Sequence, residues 1–313
     1  MTMNVPELAP TVDVGAELTL EEQQTTRRKR LTRRQLYVRR FLRNRGAVVG
    51  LVVLVLLVLF CVLGGFLTSW TYSDVDFTSL TVPPSADHWF GTNGAGNDTF
   101  AQSVHGLQRS LTIALIVSLL TTFIAAFVGC AAAYLRGNAE KAILGVIHFL
   151  LVVPSFLILA LVSNRAGGDW RVLIIGLTVL GWMYNARVVW ALATSLRERE
   201  YVQAARFMGV GAMRIVLRHL IPNIGSLLII TFTLGVVATV LGETALSFIG
   251  FGVQIPDVSL GTMLADGSST MSSAPWLFYF PAGLLTLLTT SMALIGDGLR
   301  DALDPTSRSG GRA

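Results

Sequence analysis

A few ionisable residues in unusual positions define the chemistry that this chain could carry out. His148, Arg187 and Glu243 lie inside long runs of apolar residues. Such residues are functional candidates because burying an ionisable group in an apolar medium is costly. We expect Glu243 either to line a solute pathway or to bond a polar group on a neighbouring helix. We expect His148 to form a hydrogen bond between helices, and Arg187 to reach water from near the end of its run.

A second group of charges occupies the stretch EREYVQAARFMGVGAMRIVLRHLIPN (198–223), which separates two apolar runs. Its apolar spacing predicts two short helices, over about 198–208 and 212–220, with glycines allowing a turn between them. In the first helix, Val202 and Ala205 share one face with Gly209. Ala204, Ala205 and Gly209 are small, so we expect that another backbone could come close to this helix.

The second short helix is predicted to be amphipathic. Its apolar stripe consists of Met213, Val216, Leu217 and Leu220, and the opposite face carries Arg214 and Arg218 at i, i+4 spacing. The apolar face must be buried somewhere. It could lie on the bilayer or on the chain's own helices, or it could fill a groove of a partner. The residues alone leave both alternatives open.

The sequence carries no set of residues typical of an active site. It contains no G-x4-G-K-[S/T] phosphate loop, so we expect no ATP site of that kind. It has no Cys/His cluster suited to a metal ion, and its two cysteines each lie in an apolar run. We therefore expect no catalytic residue, metal ion or cofactor in this chain.

The composition indicates a membrane protein. Of the 313 residues, 52% are hydrophobic and only 14% are charged, whereas soluble domains have about 25% charged residues. A helix needs about 20 apolar residues to cross a bilayer. This requirement predicts an all-α protein with six transmembrane helices, at about 47–67, 111–135, 142–163, 172–196, 223–250 and 274–296.

The distribution of charge predicts the orientation of these spans. Residues 27–45 contain ten of the 24 Lys and Arg residues, directly before the first span. Because basic residues next to a span stay in the cytoplasm, we expect both termini and the 198–223 stretch to be cytoplasmic. Residues 70–108 contain no Lys or Arg, as expected of an exterior segment. The net charge of +5 thus reflects topology rather than nucleic-acid binding. The basic run could also contact anionic lipid as an amphipathic helix.

The 198–223 stretch resembles a known signature. The run QAARFMG, nine further residues and HLIP are similar to the cytoplasmic motif EAA-x3-G-x9-I-x-L-P of ABC importer permeases. Gln203 stands where Glu is usual, His219 where Ile is usual, and Ile221 where Leu is usual. The stretch REREYVQAARFMG…RHLIPN closely resembles the peptide-importer branch of these permeases.

Other segments extend the resemblance over most of residues 88–305. HWFGTNGAGNDTFAQSVHGLQRSL resembles the H-FGTD-x-x-GRD…G-R-SL segment of that branch, with Asn93 and Asn97 where Asp and Arg are usual. LGETALSFIGFGVQIPDVSLGTML and GDGLRDALDP resemble its later segments. The chain is thus similar to the C-type permease subunit of an oligopeptide or dipeptide ABC importer, which implies the type I importer fold.

The resemblance also implies roles for particular residues. A coupling helix near 200–209 would occupy a groove of an ATPase subunit, and ATP-driven closure would move it together with the spans. The residues expected to couple to the ATPase are Glu200, Tyr201, Gln203, Ala204, Ala205, Met208, Gly209 and Arg218. Asp297 and Arg300 would serve as an inner gate or docking point. We expect Gly209→Arg and Ala205→Glu to uncouple ATP hydrolysis from uptake.

The expected organisation has four parts. Residues 1–45 form a cytoplasmic tail with a basic segment, and 46–110 form the first span and an exterior segment. Residues 111–304 form a five-helix core that includes the coupling loop 197–222, and 305–313 form a second cytoplasmic tail. The expected partners are a second permease subunit, two ABC ATPase subunits that bind ATP and magnesium, an extracytoplasmic peptide-binding protein, a peptide and membrane lipid. The expected location is the bacterial inner membrane.

Three alternatives remain open from the sequence. A proton-coupled secondary transporter would use Glu243 as its proton carrier, although such proteins usually bury several ionisable groups. A membrane scaffold would carry no solute. An ABC permease could also serve another cargo, such as nickel chelates or haem.

Overall fold

A computed structural model describes residues 33–303 of the chain. Residues 1–32 of the tail expected at 1–45, and the whole of the tail expected at 305–313, lie outside the described residues. Within the described part, the fold is helical and contains no β-strand. Its helices are α1 Arg33–Arg43, α2 Arg45–Leu63, α3 Thr99–Leu135, α4 Gly137–Val152, α5 Ser155–Arg165, α6 Trp170–Gly181, α7 Met183–Leu196, α8 Glu200–Phe207, α9 Ala212–Ile215, α10 Ile221–Asn223, α11 Gly225–Phe248, α12 Leu260–Ser269 and α13 Trp276–Leu303.

The spans agree with the sequence prediction. Five helical segments of the described chain are long and apolar enough to cross a membrane: Arg45–Phe66, Thr99–Leu135, Trp170–Leu196, Gly225–Phe248 and Trp276–Leu303. The helices α4 and α5, which are bent by 71° relative to each other, are long and apolar enough together and make a sixth span if the pair is counted as one. Pro154 lies at this bend, as expected of a residue that cannot continue a helical hydrogen-bond ladder.

One span begins much earlier than hydropathy indicated. The second span was predicted to begin at about residue 111, but α3 begins at Thr99 and passes through the predicted boundary at 110. Its first turns are polar and therefore resemble a loop in sequence. The Asp98 side chain starts the helix by accepting a hydrogen bond from the backbone N–H of Ala101 at 2.7 Å.

The long helix α3 occupies the centre of the bundle. It packs against α7 on one side and α11 on another, while α2 packs against α13. Close packing depends on small residues: a Cβ added to Gly129 of α3 would lie 2.6 Å from the carbonyl oxygen of Ala186 in α7. The α2–α13 pair is similar, because a Cβ on Gly50 would lie 2.8 Å from the carbonyl oxygen of Ser291.

The bundle has two distinct ends. The loop end carries the coupling loop 197–222 together with the first and last described residues, since Asn44 donates a hydrogen bond to Asp301 at 3.0 Å. The cap end carries residues 67–98, which we call the cap, and helix α12. The cap is joined to α13 by stacking of Phe90 on Phe280, with ring centroids 3.9 Å apart. Any signal that passes between the two ends must therefore pass along the bundle.

Candidate functional site

The coupling loop is anchored to the bundle by a network of charged residues. Arg136, which follows α3, bonds Glu198 at 2.7 Å, and the Nε atom of Arg197 bonds the same carboxylate at 3.1 Å. Arg197 also donates to the carbonyl of Ala133 and lies 3.6 Å from Glu140. These contacts fix the start of the loop to the turn between α3 and α4.

The electrostatics of this network favour the charged form of Glu198. Partial desolvation raises the pKa of its carboxyl group, but the hydrogen bonds from Arg197 and Arg136 outweigh that effect and leave the pKa below its usual value. Glu198 is therefore ionised at neutral pH and can hold both guanidinium groups. Because the side chain is more than half exposed, salt will weaken its ion pairs.

Gln203 takes part in this network although the related motif has Glu at that position. Its Nε2 atom donates to the carbonyl of Arg197 at 3.1 Å and lies 3.3 Å from the Glu198 carboxylate. A glutamate could not donate either bond and would place a second negative charge beside Glu198. The amide thus suits this loop, and the helix forms despite the departure.

The first loop helix, α8, buries one face in the bundle. Val202 and Ala205 are buried in the chain's own core, against residues of α3 and α7. Ala205 thus lies against the chain's own helices, whereas Ala204 and Gly209 are exposed, and the approach of a partner's backbone to these two stays a prediction. Periodicity identifies a face of a helix but not what covers it.

The exposed side of the coupling loop combines large apolar and basic side chains. On α8 and directly after it, Phe207 is 87% exposed and Met208 is 76% exposed. Their exposed neighbours are Glu200, Tyr201, Ala204, Arg206, Gly209, Met213, Arg214, Leu217 and Arg218. We call these eleven residues the docking face. A cluster of exposed apolar side chains outside the apolar spans is typical of an interaction site.

The inward residues of the second loop helix hold the docking face in place. Ile215, Val216 and Leu220 are buried in the same core as Val202. Of the stripe predicted from sequence, Met213 and Leu217 instead point outward, at 57% and 46% exposed. The segment Val216–Leu220 forms a wide π-helical turn directly before Pro222, which has no N–H to donate.

Gly209 ends α8 in a left-handed conformation. Its φ is +77°, the N–H of Gly209 bonds the carbonyl of Arg206, and the N–H of Val210 bonds the carbonyl of Ala205. This is the Schellman pattern that glycine favours at helix ends. The predicted turn at Gly209 is thus present, and it sets the direction of the chain into α9.

Glu243 lies inside the bundle. The side chain is 1% exposed, and its Oε1 atom accepts hydrogen bonds from Ser247 at 2.9 Å and from Ser259 at 2.6 Å. Ser259 also caps α12, so Glu243 joins the end of α11 to the start of α12. This arrangement matches the alternative in which Glu243 bonds a polar group on a neighbouring helix. A role in the pathway stays a prediction.

The other predicted residues lie on the outside of the bundle. Asp297 and Arg300 are exposed near the end of α13, where Asp301 accepts the hydrogen bond from Asn44. Arg187 is exposed on α7, and His148 is exposed on α4. His148 forms no hydrogen bond with any described residue, so the bond between helices expected of it is absent from this part of the chain.

The cap end contains a cavity of about 890 Å³. Its wall includes cap residues such as Tyr72 and Asn93, the 250–258 loop with Asp257, and α12 with Asp266. The volume lies within the range of about 300–1,000 Å³ that is usual for ligand pockets. Nothing in the sequence pattern indicated this cavity, because residues far apart in the chain form it.

An ion-pair latch crosses the wall of this cavity. One carboxylate oxygen of Asp257 lies 2.7 Å from His105 Nε2, and the other lies 2.7 Å from Arg109. Tyr72 stacks on His105 and Arg109 covers the ring of Trp170, with separations of 3.7 and 4.1 Å. Burial raises the pKa of Asp257, but hydrogen bonds from His105, Val258 and Arg109 leave it below its usual value.

Sequence reasoning missed several of these residues. Phe207 and Arg214 belong to the docking face but were not among the predicted coupling residues. The latch consists of His105, Arg109 and Asp257. The signal that could have indicated these residues is that each is an ionisable residue close to an apolar run of the sequence. Among the described residues there is no group of three metal-binding side chains.

The fold and its exposed loop define a class of protein: a multi-pass helical membrane protein with an exposed loop at one end of the bundle and a cavity at the other. Comparison with known proteins makes this specific. Residues 121–309 match the family model described as "Binding-protein-dependent transport system inner membrane component", and residues 32–84 match "N-terminal TM domain of oligopeptide transport permease C".

Several relatives match nearly the whole chain. The chain is 47% identical to the oligopeptide transport system permease protein OppC of Mycobacterium tuberculosis, over 89% of this chain and 96% of that protein. It is 34% identical to the dipeptide transport system permease protein DppC of Bacillus subtilis, over 92% and 90% of the two chains. With OppC of Escherichia coli it shares 34% identity, over 86% and 90%.

The chain therefore belongs to the family of binding-protein-dependent transport system inner membrane components. This confirms the resemblance to ABC importer permeases that the coupling motif indicated. The protein is a multi-pass membrane permease subunit of an ABC transporter system, and it is a transport component rather than an enzyme.

Proposed function

We propose that this chain forms half of the translocation pathway of an ATP-driven importer for oligopeptides or dipeptides. The other half is a second permease subunit. Two ATPase subunits bind ATP and magnesium. One of them binds the docking face of this chain, the other binds the second permease subunit, and an extracytoplasmic peptide-binding protein delivers the cargo to the cap end. Both termini and the coupling loop lie in the cytoplasm.

One observation carries the proposal: the coupling loop is fixed on one side and exposed on the other. Arg136 and Glu198 anchor its start, and Val202 and Ala205 are buried in the bundle, while Phe207 remains almost fully exposed. A lever needs this arrangement, because force applied at the docking face must move the spans rather than only bend the loop.

The cargo is supported by the relatives, whose names specify oligopeptide and dipeptide transport. The cap-end cavity is consistent with a peptide. Its wall is partly apolar and also carries amide and hydroxyl side chains, including those of Asn97, Gln102 and Thr270. Groups of this kind can hydrogen-bond a peptide main chain without requiring particular side chains. A nickel chelate or haem would remain as an alternative cargo.

The rival proton-coupled mechanism is less well supported by the surroundings of Glu243. A proton carrier must exchange protons with water, whereas Glu243 is almost fully buried and bonded to two serines. Peptide uptake into proteoliposomes that requires ATP and survives collapse of the proton gradient would support the ATP-driven mechanism. Uptake that survives without ATP but stops with the gradient would support the rival.

The docking face can be tested with two phenylalanines of nearly equal exposure. Phe207 of the docking face is 87% exposed, and Phe77 of the cap is 82% exposed. We expect Phe207→Ser to weaken ATPase binding at least about tenfold, because large exposed aromatic residues often dominate interfaces. Phe77→Ser should leave ATPase binding unchanged. Equal binding by both variants, measured on the purified permease pair, would contradict the proposed docking face.

A further inference from the structure

The helix α1 has no role in the function proposed above. It occupies Arg33–Arg43, directly before the first apolar span, which begins at Arg45. Asn44 separates the two helices with an extended backbone, at φ −80° and ψ 105°. The Asn44 side chain caps α2 and also donates a hydrogen bond to Asp301 of α13. Helix α1 is therefore held at the loop-end boundary of the membrane-spanning region.

Helix α1 has one apolar side and one basic side. Residues at i and i+4 lie on the same face of a helix. On one side, Val38 and Leu42 are 58% and 57% exposed, and Phe41 beside them packs near Gly298 of α13. Arg39 and Arg43 form a second exposed i, i+4 pair.

The two arginines are available to an external ligand. Within residues 33–303, neither Arg39 nor Arg43 forms an ion pair, and helix α1 contains no acidic residue that could neutralise them. The nearby Asp301 already accepts the hydrogen bond from Asn44. A pair of guanidinium groups one helical turn apart suits phosphate oxygens, because each group can donate two parallel hydrogen bonds.

We propose that α1 lies in the membrane interface and binds anionic phospholipid headgroups through Arg39 and Arg43, with Val38 and Leu42 inserted among the acyl chains. Two observations select a lipid surface over an acidic protein partner. The helix that carries the apolar pair is separated from a membrane span by Asn44 alone. The basic pair lies where headgroup phosphates would be, at the boundary of that span. The proposal does not depend on the identity of the cargo.

Lipid retention tests the basic pair. The full-length chain in its assembled complex is placed in nanodiscs with equal amounts of phosphatidylglycerol and phosphatidylcholine, and the lipids that stay bound are counted by native mass spectrometry. We expect the double variant Arg39→Gln, Arg43→Gln to retain about tenfold less phosphatidylglycerol relative to phosphatidylcholine. The charge-preserving variant Arg39→Lys, Arg43→Lys should retain most of the preference.

Two exposed basic residues elsewhere at the loop end provide a matched control. Lys141 and Arg199 lie outside α1 and the docking face, and the variant Lys141→Gln, Arg199→Gln removes the same charge from the loop end. It should leave the lipid preference unchanged. If the two glutamine variants lose the preference for phosphatidylglycerol equally, that preference depends on the total charge of the loop end, and the proposed site is overturned.

Spin labels test the insertion of the apolar pair. Single variants Leu42→Cys and Arg39→Cys are labelled in the same nanodiscs, with the wild type giving the background from Cys61 and Cys130, both of which are buried. We expect oxygen, which concentrates in lipid, to relax the label at Leu42, and a water-soluble nickel chelate to relax the label at Arg39. A label at Leu42 that responds to the chelate, or to neither reagent, would show that water or protein covers this face.

Discussion

At the scale of single residues, the departures from the related motifs have local physical reasons. Asn93 and Asn97 stand where the resemblance places Asp and Arg, and in this structure the two amides contact each other at 3.2 Å. Asn93 also accepts hydrogen bonds from the backbone of Ala95 and Asn97, and Asn97 donates to the carbonyl of Asp74. The two neutral side chains thus bond each other and the neighbouring backbone in this turn of the cap.

This pair predicts non-additive substitutions. Asn93→Asp alone would place a carboxylate opposite the Asn97 amide oxygen, and Asn97→Arg alone would add a charge without a partner. We expect each to destabilise the protein, and the double variant to recover stability, with a coupling energy of about 0.5–3 kcal/mol. Thermal unfolding of the four proteins in detergent measures this coupling. Strictly additive effects would show that the two positions act independently.

The turn at Gly209 predicts an effect of backbone conformation alone. An added Cβ would meet nothing within 4 Å, yet φ is +77°. We expect Gly209→Ala to cost about 1–2 kcal/mol in the folded loop and to reduce ATP-driven uptake, and Gly209→Asn to cost less because asparagine tolerates this conformation. In the proposed lever, a distorted turn would misdirect α9.

Gly211 is the matched control for this turn. It has equal space around it but an ordinary φ of −62°. Gly211→Ala should therefore leave uptake near the wild-type level. Equal losses at Gly209 and Gly211 would indicate that the docking surface, rather than the backbone, responds to the added methyl group.

The related expectation that Ala205→Glu merely uncouples transport needs revision, because Ala205 is 3% exposed and a charge there would disrupt the core.

At the scale of elements, the sequence predicted those helices that hydropathy and helical periodicity reveal. The spans and the two loop helices follow from those patterns, and so does the break at Pro154. The first turns of α3 and the whole of α12 escaped prediction for a common reason. Both are polar or short, and both are started by a side-chain cap, Asp98 or Ser259, whose partner lies within the same turn. Which face of α8 is buried depended on α3 and α7, so no local pattern could give it.

Helix α12 depends on Ser259, which predicts unequal effects for two serines. Ser259 caps the helix and donates to the buried Glu243, whereas Ser247 only donates to Glu243 from one turn away in α11. We expect Ser259→Ala to cost about 2–3 kcal/mol and Ser247→Ala about 1 kcal/mol. Amide hydrogen exchange in α12 should rise clearly only for Ser259→Ala. Similar exchange in both variants would mean that the cap does not hold α12.

At the scale of the whole molecule, α3 connects the two functional ends. It carries His105 and Arg109 of the latch near its start, and Arg136 of the loop anchor directly follows its end. Its 37 residues span about 55 Å at the usual rise per residue. A single helix therefore contacts both the cavity wall and the coupling loop. The sequence could not show this connection, since Asp257 and Glu198 reach α3 from distant parts of the chain.

The latch gives a pH prediction for the assembled fold. Because the folded pKa of Asp257 lies below its usual value, the latch stabilises the protein above the ordinary carboxyl pKa of about 3.9 and loses this contribution as pH falls through the folded pKa. We expect Asp257→Asn to cost about 1–3 kcal/mol at neutral pH, since the pair is only partly exposed. The difference in stability between the two proteins should stay constant down to about pH 5 and shrink only in stronger acid.

His105 is the second partner of the Asp257 carboxylate and must be removed to isolate the Asp257–Arg109 pair. The comparison is therefore made by thermal unfolding in a His105→Gln background, where Arg109 remains as the charged partner of Asp257. If the stability difference between this background and its Asp257→Asn variant disappeared already between about pH 7 and 5, a group other than this carboxylate would control the latch. Constancy over that interval would instead show that the Asp257–Arg109 pair holds the cavity wall throughout the range from about pH 7 to 5.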